Sequence, residues 1–430
     1  LIRQAFGSSI DFELQDMGAE ICSMFPSLKG KSLNDIKAMS KIARYGNHEP
    51  TEIGGVYNIF VTYVQQSLRK EFPRDSEREE KDLQLVALAA VADVMPLKNE
   101  NRIFIKKGLE SINAARIRPG LVELLSRVEL LGKRITSKDI GWTIDPNLNA
   151  AGRLGEAGIV ADLFMSKDPA YRELTAAKIS ELNGRRQTLT QEAEYVAASQ
   201  AEKSIAEFKG HLCFIYDEQI VKGIAGILAG RLVNRHGIPA IVCTCVDDVI
   251  TGSMRSCRGF DVTDFLEQLK DLFISHGGHA YAAGFSLKRE NLSAFKQRIL
   301  ELAPTIVLGP EDTTEIDAEV PLQYMTPDLI NVVDLFEPYG NENPPLVFLC
   351  RNLTVAQAFM LPGKKDRNHL KLTVDAGKSK WPCVFWGEGD RLNRDFKIGD
   401  KIDILFQVER NTYNGMENLQ LNLIDLRKSL

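Results

Sequence analysis

Nowhere does the sequence contain the roughly 18–20 consecutive apolar residues of a membrane-spanning helix, so no membrane partner is expected. Asp11, Glu13, Asp16 and Glu20 interrupt the first residues, where a secretory leader needs a clean apolar run. Cysteine is sparse, seven in 430 residues, and no two stand at the Cys-x-x-Cys spacing of a zinc site. Cys243 and Cys245 flank one threonine in an apolar run and read as buried thiols. These absences predict a reducing, cytoplasmic setting. An excess of basic charge is missing too: 53 Lys and Arg stand against 58 Asp and Glu, a net charge of −5. That balance gives no sign of nucleic-acid affinity and does not exclude it, because a strand is gripped by local charge along a groove. Local clusters occur at Lys106, Lys107, Arg116 and Arg118, and again at Lys364, Lys365, Arg367 and Lys371. Taken alone, each reads as a solvated face.

What is present describes an ordinary globular protein, 44% hydrophobic and 26% charged, long enough for roughly two to four domains. Residues 1 to 80 read as mainly helical, with Ile36, Met39, Ile42 and Ala43, and then Ile59, Tyr63, Val64 and Leu68, at helical spacing. Arg74 to Asp82 is a charged linker or helix start. The apolar run Leu83 to Val94 suits a helix or strand that delivers Asp93 to a cleft, since Pro96 prevents a helix from continuing. Short helices and loops alternate from 100 to 165. Asp168 to Lys203 has no proline after Pro169 and is rich in Ala, Glu, Gln and Arg, which predicts one long connecting helix.

A second α/β layer is expected beyond it. Leu212 to Tyr216 and Pro239 to Val246 read as strands around a helix from Val221 to Asn234. Asp261 then opens a helix with Val262, Phe265, Leu266, Leu269, Leu272 and Phe273 on one face. From Ile316 the runs are short and β-rich: His369 to Val374, Trp381 to Trp386, and Lys401 to Arg410, with a hairpin turn at Asn414-Gly415. A small barrel of the oligonucleotide-binding (OB) type fits them. Trp381, Phe385, Trp386 and Tyr413 are its candidates for base stacking, each set against the plainer role of core residue. The fold class is therefore α/β, two α/β lobes joined by a long helix and followed by an OB-type barrel. Its boundaries fall at 1–165, 166–205, 206–305 and 306–430.

Four strings carry the chemistry. In GGHAYAAGF, Gly277 to Phe285, two glycines let backbone come close to a ligand and deliver His279 to donate a charge-assisted hydrogen bond to an anion. By itself the triplet reads as a tight turn with an exposed histidine. GSMRS, Gly252 to Ser256, sets Ser253 and Arg255 at alternate positions of a strand end, hence on one face. NLNAAGRLGEA, Asn147 to Ala157, is loop-compatible and places Arg153 after small residues, where its planar fork suits a phosphate. VADVMPL, Val91 to Leu97, holds Asp93, otherwise a cap or surface acid.

In this order the four strings closely resemble the RecJ-like single-strand-specific DNA exonucleases of the DHH phosphoesterase family, from about Leu83 to the C-terminus. The resemblance implies a 5′→3′ exonuclease of single-stranded DNA in repair and recombination, using two divalent cations, Mn²⁺ or Mg²⁺. It makes Asp93 a metal ligand and catalytic residue. Asn149, Arg153, Ser253, Arg255 and His279 become substrate-phosphate residues, with His279 also catalytic at the scissile phosphate. Gly223, Gly226 and Gly230 match a family helix, whereas Asp217-Glu218-Gln219-Ile220 lacks the Trp-His pair usual before it. Glu337 to Pro344 is similar to a Pro-Phe-Gly-x-Gly-Asn-Pro segment, with two departures and a structural role.

The family's remaining metal ligands, an Asp-rich segment, a further aspartate and an Asp-His-His triplet, have no counterpart here. Gly46-Asn47-His48-Glu49-Pro50 differs from Asp-His-His-Glu-Pro at its first two positions and is read as coincidental. Two readings stay open. The chain, which starts at Leu1, is the C-terminal part of a nuclease, inactive alone, or it is a non-catalytic single-strand-binding relative. A DHH phosphodiesterase of dinucleotides or nanoRNA fits less well, because of the β-rich C-terminus. A monomer is expected, with single-stranded DNA as ligand and a single-strand-binding protein or helicase as candidate partners.

Overall fold

The computed structural model describes residues 15–39, 51–72, 75–310, 313–363, 368–413 and 416–429. Ile42, Ala43, the Gly46 to Pro50 string, Lys364, Lys365, Arg367 and the Asn414-Gly415 turn lie outside the described residues. The chain divides into two compact units, one ending at Asp82 and the other beginning at Leu83.

The first unit is helical where described: α1 (Gly18–Met24), α2 (Leu33–Met39) and α3 (Glu52–Glu71). Thr51 caps α3 by accepting a hydrogen bond from the Gly54 N–H at 3.0 Å. The boundary falls inside α4 (Asp75–Ala92), so the charged stretch from Asp75 to Asp82 is a helix start, while Arg74 lies outside the described residues.

The second unit continues with α5 (Asn99–Asn113) and α6 (Pro119–Arg127). A capped turn (Ser137–Asp139) and a π turn (Ile140–Ile144) then lead into α7 (Asp145–Arg153), followed by α8 (Gly158–Met165). Leu88, Leu121, Leu124, Ile140, Ile144 and Leu163 close a common core among them. The Asn149–Arg153 string is thus helical, not a loop. Its alanines explain why: Ala150 and Ala151 are fully buried and favour helix.

The predicted long helix is α9 (Pro169–Glu207), 39 residues and about 58 Å. Asp168 caps it, accepting from the Ala170 N–H at 2.9 Å. Ala176 and Ile179 lie in the helical core, while Ala193, Ala197 and Ala201 lie in the core under a sheet further on, so one helix serves both.

That sheet contains β1 (Cys213–Tyr216), β2 (Ala240–Val246), β3 (Val249–Arg255), β4 (Phe273–His279) and β5 (Ala282–Lys288) in the order β1-β2-β3-β5-β4. Only β1 and β2 run parallel, across α10 (Lys222–His236). Cys243 is fully buried, and Cys245 partly. The helix expected from Asp261 is α11 (Val262–Glu267), which stops early. Lys270–Leu272 is a 3₁₀ turn, and Phe273 already belongs to β4. The apolar spacing misleads because two elements feed the same core, where Phe273 stacks on Phe285 with ring centroids 4.9 Å apart. α12 (Leu292–Leu302) covers that face. Gly277 and Gly278 are strand residues, and the reversal falls after His279.

The C-terminal part contains β6 (Ala318–Glu319), α13 (Leu329–Phe336), β7 (Phe348–Leu361), β8 (His369–Asp375), β9 (Lys380–Phe385), β10 (Lys401–Tyr413) and β11 (Met416–Lys428). β10 pairs with both β11 and β7, closing a five-stranded barrel of OB type, with β6 added outside β7. Trp381 and Phe385 are core residues instead of stacking platforms: the Trp381 indole N–H donates to the Met325 carbonyl at 3.0 Å. Trp386 is exposed, beside His369.

Candidate functional site

The register of the β3-β5-β4 hairpin decides which side chains meet. Arg255 pairs with Ala282, and Ala282 with His279, so these three side chains form one cross-strand row. Ser253, Gly284 and Gly277 form the next row on the same face. The opposite face carries Met254, Ala283, Phe285 and Leu287 into the core. The polar face is therefore a shallow floor, thin where the glycines lie, with Ser253 and Arg255 along one side.

α10 packs against that side and needs its glycines to do so. A Cβ at Gly226 would stand 2.7 Å from Arg255 Nη2 and 3.1 Å from Ser253 Oγ. One at Gly223 would stand 1.9 Å from the Arg153 carbonyl oxygen, which no side chain can occupy. Arg255 Nη1 donates to Ser253 Oγ and to the Met254 carbonyl, both at 2.9 Å. Arg153 Nη1 reaches the Gly223 carbonyl at 3.3 Å. A cleft of about 400 Å³ is lined by Lys222, Ser253, His276, Gly277 and Gly284. Its neighbour of about 440 Å³ is lined by Arg153, Arg185, Lys222 and Gly223. The start of α10 therefore borders both.

The electrostatics are one-sided. Burial, and then the charge of Arg153, pull the Arg255 guanidinium below its ordinary pKa. Burial and the charges of Arg153 and Arg231 do the same to Arg186. Arg231 has Glu194 at 2.8 Å, whereas Arg153, Arg186 and Arg255 have no carboxylate partner among the described residues. Guanidiniums gathered without counter-ions are a ready seat for phosphate. Arg186 was missed by sequence reasoning, and its place midway along α9 gives no local signal. His279 is exposed at the open end of its row and does not line the cleft. His276 lines it instead, and its ring meets Glu267 at 3.1 Å.

Asp93 follows the last turn of α4, its N–H donating to the Ala89 carbonyl at 2.9 Å. Val94 then takes φ = 54°, a costly conformation for a β-branched residue. It is held from outside: Asn341 Nδ2 donates to the Val94 carbonyl at 2.8 Å, and the Leu97 N–H donates to the Asn341 carbonyl at 2.8 Å. The Glu337 to Pro344 string is thus a clamp on the Asp93 loop. Sequence reasoning missed a further acid, Asp145, buried at 3% exposure with neither carboxylate oxygen hydrogen-bonded. Burial, and then the charge of Asp93, push its pKa up to about 7. Asp145, Asn149 and Arg153 are spaced i, i+4, i+8, so α7 presents an acid at one end and a base at the other, about 12 Å apart. Among the described residues no group of three or more His, Cys, Asp or Glu is placed to hold a metal ion.

A family model described as the DHHA1 domain matches residues 209–304, and one described as the RecJ OB domain matches residues 316–425. The chain is similar to the single-stranded-DNA-specific exonuclease RecJ of Escherichia coli (strain K12), 32% identical over 79% of this chain and 60% of that protein. Its likeness to the protein of that name from Bacillus subtilis (strain 168) is 28% over 96% of this chain and 51% of the relative. The crystal structure of RecJ in complex with Mg²⁺ from Thermus thermophilus superposes with a TM-score of 0.67 at 27% identity, covering 82% of this chain and 53% of that one. The chain is a RecJ-like protein of the DHH family. It spans about half the length of the curated relatives it matches. A second Thermus thermophilus RecJ structure, also with a TM-score of 0.67, is a complex with Mn²⁺. Among the described residues of this RecJ-like chain, no helix is long and apolar enough to cross a membrane.

Proposed function

We propose that this RecJ-like chain is the strand-binding part of a single-stranded-DNA exonuclease that works 5′→3′ in repair and recombination. The observation that supports this best is the seat of three guanidiniums, Arg153, Arg186 and Arg255, that have no carboxylate partner among the described residues and lie near Ser253 and the start of α10. In this reading Arg255 holds the 5′ phosphate through its planar fork, with Ser253 fixing the guanidinium through its hydroxyl. Arg153 and Asn149 contact the next phosphates along α7. His279 donates a hydrogen bond to the scissile phosphate, and the cleft between the two lobes is read as taking a single strand.

Asp93 is read as a metal ligand for Mn²⁺ or Mg²⁺, and the orphaned carboxylate of Asp145 beside it suits a hard cation. When bound, such cations lower the pKa of a coordinated water and neutralise the developing phosphate charge. In this reading the first lobe, 1–165, contributes part of a two-cation centre through Asp93. In the same reading 166–205 connects the lobes, 206–305 is the second lobe and 306–430 the OB domain. A single-strand-binding protein or a helicase is the kind of partner that would feed such an enzyme, which acts as a monomer.

The test compares strands with and without a 5′ phosphate. Arg255→Ala should weaken the phosphorylated strand more than the other; equal losses would reject the assignment. A non-catalytic strand binder is the second reading, favoured by the lack of a three-ligand group among the described residues. Robust Mn²⁺-dependent hydrolysis by this chain would reject it.

A further inference from the structure

Asp145 sits where an acid should be unwelcome. The π turn Ile140–Ile144 runs straight into α7, so the Asp145 N–H is spent on the Ile140 carbonyl, and Pro146 contributes no N–H at all. The free amides that usually greet an acid at a helix start are therefore missing. No ion pair or hydrogen bond reaches either oxygen, although the residue is 3% exposed. A buried carboxylate without donors is strongly destabilising unless something else satisfies it. The π turn packs against the end of α4, where a Cβ at Gly141 would stand 3.4 Å from Val91, two residues before Asp93.

We propose that Asp145 is a second carboxylate ligand, acting with Asp93, for a divalent cation of the Mn²⁺ or Mg²⁺ type. The inference rests on the reading of Asp93 as a cation ligand and adds a donor that the four sequence strings do not assign. A cation held there would satisfy the orphan oxygens, which nothing else among the described residues does. Two oxygen donors leave the other positions to water and to substrate phosphate, the usual habit of Mg²⁺. The π turn runs directly into Asp145, the first residue of α7, which is buried. Such insertions recur at functional sites.

The experiment is a Mn²⁺ titration of the 430-residue chain followed by the paramagnetic resonance of the free ion, with thermal melting alongside. Wild type should bind Mn²⁺, and Asp145→Asn should bind it at least about tenfold more weakly, as should Asp93→Asn. Mn²⁺ should raise the melting temperature of wild type and leave that of Asp145→Asn unchanged. Without metal, the Asn variant should melt no lower than wild type, which shows that its fold is intact; Asp145→Ser repeats the test if it is not. Wild-type Mn²⁺ affinity in Asp145→Asn, with loss in Asp93→Asn, would overturn the role of Asp145 and leave Asp93 standing. Unchanged affinity in Asp93→Asn, or no binding by wild type at millimolar Mn²⁺, would overturn the pair itself.

Discussion

Arg255 is the side chain on which the proposed function turns. It is held in place by Ser253 and Met254 yet has no carboxylate partner among the described residues. Loss of one charge-assisted contact costs roughly 1.5–3 kcal/mol, so Arg255→Ala should weaken a 5′-phosphorylated strand by roughly 10- to 150-fold. A fluorescence titration against the unphosphorylated strand measures the difference. The sequence made Arg255 and Ser253 legible because strand alternation fixes their common face. Arg186 and Asp145 were not legible. Each becomes unusual only through neighbours far away in the chain, and an isolated acid before a proline looks like any other helix start. The glycine pair before His279 was legible as a close approach, but whether it lay in a turn or a strand was not, since glycine fits an edge strand and a turn equally well.

Among elements, α10 and the barrel seam carry the clearest consequences. Gly223→Ala would drive a methyl group into the Arg153 carbonyl, and helix α10 would have to lift from α7. The expected cost is about 1–3 kcal/mol, read by denaturant unfolding, together with weaker binding of the 5′-phosphorylated strand. In the barrel, β7 and β10 change register between Ile402 and Ile404, and Asp403 fills the irregularity. Its carboxylate accepts from Ser429 Oγ at 2.7 Å, from the Asn352 N–H at 3.2 Å and from Arg427 Nε at 3.2 Å. Burial pushes its pKa up, but these donors outweigh it and hold the carboxyl below its ordinary value of 3.8. The stabilisation is therefore complete above that value and lost as pH falls through the lower, folded one. Asp403→Asn should cost roughly 1–3 kcal/mol at neutral pH, and its deficit should vanish in strongly acidic solution. Of these elements, α9 was the easiest to foresee, because composition alone favours it over 39 residues. The α11 to β4 passage was the hardest, because helical spacing continues across a break in the element.

For the molecule as a whole, strand binding should be strongly salt-dependent despite the net charge of −5. If two to four phosphates are engaged, the slope of log affinity against log salt should be about −1.5 to −3. A slope near zero would argue against the arginine seat. The chain alone should hydrolyse single-stranded DNA feebly in Mn²⁺, and an oligonucleotide degradation assay checks this. Asn341 adds a consequence of another kind. Its two hydrogen bonds tie the segment that enters the barrel to the loop bearing Asp93. If strand binding at the barrel is coupled through these bonds to the proposed cation, thermodynamic reciprocity requires the effect to run both ways by the same factor. Mn²⁺ should then tighten single-strand binding, and Asn341→Ala should reduce that mutual gain while leaving each ligand able to bind alone. The clamp would make grip on the strand and readiness to cut it two measures of one equilibrium.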